Sequence, residues 1–211
     1  MIASSESVVN TEDNLIANDT PQIATGVGTL ITGQNLVRGA VLGKITRTLG
    51  ATTANGSNTG NGTVTGAAMG ENALNGTYTL TCTAIAANGG TFSVTAPDGD
   101  ALPDASVGSA YANEQINFTI NDGATDFALG DSFTIAIDAG SNKLTAAIKT
   151  AVDGSNKPNS ILVHDIDASL ADKACQRYVA GCFHNNELTW DASFTAAEQL
   201  QHFDGSPIVL R

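Results

Sequence analysis

From residue 48 to residue 142 the chain has no lysine or arginine for ninety-five residues, yet nine of its twenty-one acidic residues lie there. That segment holds −9 of the formal net charge of −12. Bases are scarce elsewhere too, nine Lys and Arg in all and none clustered. Phosphate binding needs such clusters, so DNA and RNA are not expected as direct partners. The first twenty-one residues show no basic start and no apolar run of seven or more. Neither a secretory signal nor a membrane span is therefore expected there. Three cysteines at uneven spacing do not make a disulfide framework and fit a reduced setting better. Asn-x-Thr triplets such as Asn61–Thr63 and Asn117–Thr119 carry no meaning without export.

What remains is a chain with 42% apolar residues, enough to bury a core, but only 14% charged and 5% aromatic residues. Thr, Ser, Asn, Ala and 22 glycines favour short strands and turns over amphipathic helices, so a mainly β fold is expected. The basic-free stretch marks a compositional boundary at each end. Residues 48–142 read as a guest, and residues 25–47 with 143–211 read as one discontinuous host.

Residues 1–24 are polar, relieved by the apolar pairs Val8, Val9 and Leu15, Ile16. They lack the apolar density to fold alone and read as an extended arm, either a disordered tail or a segment that folds on a partner. Residues 33–46, GQNLVRGAVLGKIT, read as a hairpin-like pair of strands punctuated by Gly33 and Gly39. In the guest, residues 50–62 read as a loop. Four strands then show period-two patterning. Tyr78, Leu80, Cys82 and Ala84 alternate with threonines; Phe92 and Val94 share a face; Ile116, Phe118 and Ile120 share another; Phe133, Ile135 and Ile137 a fourth. With Asn-Gly and Pro-Asp-Gly turns between them, residues 63–140 suggest a β-sandwich of immunoglobulin-like size. In the second flank, Gly154 and Pro158 precede an apolar strand, Ile161–Val163. Residues 178–190 give a strand and turn, and Ala196, Ala197, Leu200 and Phe203 share one side of a short helix ended by Gly205. SPIVLR closes the chain as a strand.

Chemistry-bearing constellations are thin. His164 with Asp165 and Asp167 lacks a nucleophile-elbow Gly-x-Ser-x-Gly and reads as a strand-edge histidine beside solvated carboxylates. Cys175, Cys182 and His184 are spaced poorly for zinc, and all three cysteines read as small core residues. Asp98 with Asp100, and Asp122 with Asp126, lack a calcium loop's pattern and read as turn carboxylates. The Gly-rich stretch at 54–62 has no Lys and opens no helix, so it is not a phosphate loop. Trp190 reads as core or subunit-contact packing. No catalytic, cofactor or metal residues are expected.

With the guest lifted out, the order of features is TGQNLVRGAVLGKIT, AVDGSNKPNSILVHDIDAS, YVAGCFHNNELTW, a short helix and SPIVLR. This resembles the head decoration proteins of tailed bacteriophages, the lambda head protein D family. Its strongest pieces are Gly39–Lys44, the Asp153-Gly154-Ser155 turn leading to Ile161-Leu162, and Ile208–Arg211. The departure is the insertion after Arg47. The resemblance implies a small β-tulip-like decoration domain with one short helix, interrupted by the inserted β-sandwich. It further implies a structural protein, not an enzyme, that sits as a homotrimer on the outer surface of the expanded capsid. Its partner would be the major capsid protein, reached through the N-terminal arm with Val8, Val9, Leu15 and Ile16, and Trp190 is the subunit-contact candidate. It would pass through the host cytoplasm during assembly, end on the virion, and bind no membrane. The alternative reading is a surface recognition module whose inserted domain binds a host glycan or envelope protein. A hydrolase, resting on His164 and its aspartates, comes third.

Overall fold

The computed structural model describes residues 14–211. It is mainly β, with one short α-helix, and falls into two compact units. One comprises the described residues up to Leu42 together with Pro158–Arg211; the other is Gly43–Lys157. The expected guest, 48–142, lies wholly within the second unit. That unit also takes in flanking residues because the backbone ties them together. Thr46 and Arg47 N–H groups both donate to Asp153 O (2.9 and 3.1 Å), Ile45 N–H to Lys143 O (3.0 Å), and Gly140 N–H to Thr46 O (2.9 Å).

The first unit is organised on the eleven-residue strand Lys173–Phe183. Ile16–Asn18, Ala24–Leu30 and Pro158–Leu162 pair with it antiparallel, and Ile208–Leu210 pairs parallel. Leu30, Leu42, Ile161, Leu162, Cys182 and Phe183 are fully buried, with Tyr178 against Phe183 at 5.0 Å between ring centroids. The 33–46 stretch is not a hairpin. Gln34–Leu36 pairs with Ile166–Ala168 in a small sheet of its own. A tight turn, Ala40 N–H to Val37 O with Gly39 at φ +82°, sends the next run, Val41–Lys44, toward a different partner. Leu162 N–H donates to Ala40 O, and Gly39 N–H to Leu162 O.

The expected short helix is present and runs Ala196–Gln201, ending before Phe203. Ala196, Ala197 and Leu200 are exposed, Leu200 at 53%, and only Phe203, beyond the helix, is buried. Polar bonding fixes the rotation instead. Thr195 and Glu198 form a capping box, and Gln199 accepts from Asn185 and donates to Phe194 O.

The second unit has more strands than the four the patterning showed. Arg47–Ala54, Ser132–Ala139, Gly76–Ala86, Gly89–Thr95 and Ala101–Ser106 form a five-stranded sheet in that order. Ala110–Ala112, Ile116–Asn121 and Thr63–Met69 form a three-stranded one. Residues 50–54, expected in a loop, are therefore strand, and Ile116–Asn121 belongs to a different sheet from the other three patterned strands. The two sheets share one apolar core: Tyr78, Leu80, Phe92 and Ile135 from the first meet Ile116, Phe118 and Ile120 from the second. Phe127 closes one side, edge-on to Phe92 at 5.0 Å and to Phe133 at 5.9 Å. Among the described residues no helix is long and apolar enough to cross a membrane.

Candidate functional site

The segments nearest the two chain ends converge on three residues, Gly181–Phe183. On one side Ile16 faces Phe183 and Asn18 faces Cys182; on the other Gly181, Cys182 and Phe183 face Ile208, Val209 and Leu210. Main-chain bonds extend the join: His184 N–H donates to Leu15 O (3.0 Å), Arg211 N–H to Phe183 O (2.9 Å) and Asn185 N–H to Arg211 O (2.8 Å). Gly181 sits at φ +144°, and a Cβ there would lie 2.8 Å from the Phe183 ring. Only glycine allows the chain to pass at that point. Ile16–Asn18 and Ile208–Leu210 each pair with the one central strand and with no other strand among the described residues. A strand with one partner presents its outer backbone groups to whatever chain comes next.

Leu15, expected in a free arm, is buried at 4% exposure, and Ile16 is half-buried within a strand. Both belong to the fold of the first unit, so an arm that folds only on a partner would end before them. Val8 and Val9 lie outside the described residues. Trp190 is half-buried within its own unit. Its Nε1 donates to Asn185 Oδ1 (3.0 Å), and its ring packs on Phe194 (5.4 Å) and Phe203 (5.9 Å). Beside it Asp191 Oδ1 accepts from Ser193 Oγ and N–H, bonds that hold that carboxyl below the usual carboxylate range.

The remaining constellations fold into local structure. Asp165 Oδ1 accepts Arg38 N–H, and Asp167 Oδ1 accepts from Ser169 Oγ and N–H, which lowers its pKa, while His164 is exposed. Cys175 and Cys182 lie seven residues apart on one strand, roughly 23 Å at about 3.3 Å per residue, too far to share a metal ion. Both are buried free thiols, and burial pushes the Cys175 thiol up. Asp98 Oδ1 accepts Asp100 N–H, and Asp126 Oδ1 accepts Asn88 N–H.

One polar centre was not singled out in the sequence. Asp131, 4% exposed, accepts three backbone N–H groups, from Thr59 (2.8 Å), Gly60 (2.8 Å) and Ala128 (2.9 Å). Burial alone would raise its pKa, but the three donors outweigh it and hold the carboxyl below its ordinary value. It pins the Asn55–Gly62 loop to the one that carries Phe127. Sequence offers little to find it, since an Asp after Leu-Gly reads as any turn carboxylate.

The described residues thus make a mainly β protein in which the strands Ile16–Asn18 and Ile208–Leu210 both pair with one central strand. The family described as bacteriophage lambda head decoration protein D matches residues 5–209, and the chain belongs to that family. It is thus a decoration protein of the phage capsid surface. No curated protein matches the chain. Two crystal structures of Xanthomonas campestris FlgL, in space groups H3 and C2, align at 19% and 21% identity over 50% and 51% of this chain. The aligned part is 34% and 32% of theirs, with a TM-score of 0.33 in both, a likeness that carries no argument. The chain spans about a third of those proteins.

Proposed function

We propose that the protein cements the phage head: it binds the outer surface of the expanded shell as a homotrimer, engages the major capsid protein through residues preceding Leu15, and stabilises the lattice. The family match over residues 5–209 carries this reading, and the open edge of Ile16–Asn18 supports it. That strand anchors the N-terminal segment to the body by backbone pairing, so a pull on residues 1–13 is transmitted to Lys173–Phe183. Three such segments on one trimer raise the effective concentration of each second contact to about the mM range once the first has docked. A ligand that binds only the assembled shell stabilises it by mass action, with no catalysis. Residues 48–142 are an inserted immunoglobulin-like unit, and Trp190 is a contact between subunits.

The test is direct. Empty expanded heads are mixed with purified protein and sedimented, and the bound stoichiometry and the oligomer mass by light scattering are read together. Three copies per local threefold position and a trimer in solution are expected. A monomer that binds singly, or no binding at all, would sink the proposal.

A further inference from the structure

We propose that the remote end of the inserted unit carries a binding site for a cationic, partly apolar side chain, a lysine or arginine presented by a basic protein surface. This goes beyond the decoration role and does not depend on head binding. The chain enters the insert at Arg47 and leaves it at Ala139, which face each other across paired strands. Gly76 lies at this near end, beside Ile137 and Pro97. From there the strand Gly76–Ala86 runs roughly 30 Å at about 3.3 Å per residue. It ends at the Ala87-Asn88 turn, far from the attachment.

At that turn a pocket of ≈ 300 Å³ is lined by Ile85, Ala86, Ala87, Asp126 and Phe127. The loop that forms its wall is tied at one end to the turn after this strand and at the other to the strand itself. Asn88 N–H donates to Asp126 Oδ1 (3.0 Å), while Gly130 N–H donates to Cys82 O (3.0 Å) and Cys82 N–H to Asp131 O (2.8 Å). The pocket is therefore built and not a loose loop. Ile85 is 60% exposed and Leu129, between the loop's two ties, 66%, so two large apolar side chains lie open beside the pocket. An apolar floor takes the methylene stem of a long basic side chain, and the Asp126 carboxylate takes its head. The charge favours a cationic ligand: the pocket's own acid is Asp126, and residues 48–142 carry nine acids and no Lys or Arg.

The full-length protein is titrated, at about 0.15 M salt, where screening limits diffuse attraction to ~8 Å, into three dye-labelled pentapeptides. These alternate Leu with Lys, Glu or Ser, and binding is followed by anisotropy. The lysine peptide alone should bind saturably. Asp126→Asn and Ile85→Ser should each weaken it about two- to fivefold, the scale of one exposed contact. Asp98→Asn removes the same charge at the near end of the sheet and should leave binding unchanged. Equal weakening by Asp98→Asn and Asp126→Asn would show a diffuse field and no site. Equal binding of the glutamate peptide, or no saturable binding of any, would also overturn the proposal. Circular dichroism melts of each variant separate lost binding from lost fold.

Discussion

Arg47 stands directly opposite Ala139 in an antiparallel strand pair, so residues 48–138 leave and return to one point of that ladder. The Arg47 guanidinium also donates to the carbonyls of Ala73 and Glu71, fastening that segment to the base of the ladder. A segment whose ends are already paired can be removed without stretching either flank. Thr48 faces Asp138 in the same ladder, which is the geometry a two-residue hairpin turn closes. Replacing residues 49–137 with Asn-Gly should give a soluble, smaller protein of unchanged subunit number that still binds heads. Loop closure sets only a small penalty, ~0.6 kcal/mol per doubling of a connection's length. Light scattering and head sedimentation check it. Insolubility would show that the host depends on the insert's strands.

Asp131 should make the second unit, Gly43–Lys157, acid-sensitive. Its folded pKa is depressed, so its contribution is complete above the unfolded value, about 3.9, and is lost as pH falls through the lower folded value. Asp131→Ala leaves the N–H groups of Thr59, Gly60 and Ala128 without their acceptor, at a cost of about 1–3 kcal/mol. Thermal melts from neutral pH down to about 2 should show the wild-type advantage over the variant at neutral pH shrinking through the acid range. A constant difference between the two would contradict the assignment.

Gly154 is held at φ +96°, and a Cβ there would come within 2.0 Å of Thr46 Oγ1. Gly154→Ala therefore meets backbone strain and a steric clash together. It should destabilise by about 1–3 kcal/mol or more, where a substitution at an open exposed glycine such as Gly56 should cost little. Urea unfolding of the two variants side by side decides it.

What was legible in the sequence follows from where burial leaves a periodic mark. Tyr78, Leu80 and Cys82 alternate with threonines because one face of that strand meets the core, and the pattern could be read without coordinates. Arg47–Ala54 and Thr63–Met69 are strands too, but they are rich in Thr, Ala and Gly with little buried, so they carry no period and residues 50–54 read as loop. The short helix was legible from its apolar spacing and its end at Gly205, whereas its rotation was not, because hydrogen bonds of Glu198 and Gln199 leave Leu200 outside. At the N-terminal segment, polar composition hid a local fact: Leu15 needs only one hole to fill, and composition averaged over twenty-four residues cannot show it.

That local fact redraws the boundary between folding and docking in the N-terminal segment. Leu15 is 4% exposed, its carbonyl accepts His184 N–H, and Ile16 pairs with Phe183, so residues from Leu15 onward contribute to the body of the first unit. Leu15→Ala should lower stability by about 2–5 kcal/mol, the range for truncating a buried leucine. Deleting residues 1–13 removes Val8 and Val9 while sparing Leu15, and should leave the melting temperature and oligomer mass nearly unchanged while abolishing sedimentation with expanded heads. Deleting residues 1–20 should do both, costing stability as well as binding. A 1–13 deletion that binds heads as well as the full chain would end the proposal that this segment holds the capsid, and would move the search for the contact to the open edges of Ile16–Asn18 and Ile208–Leu210.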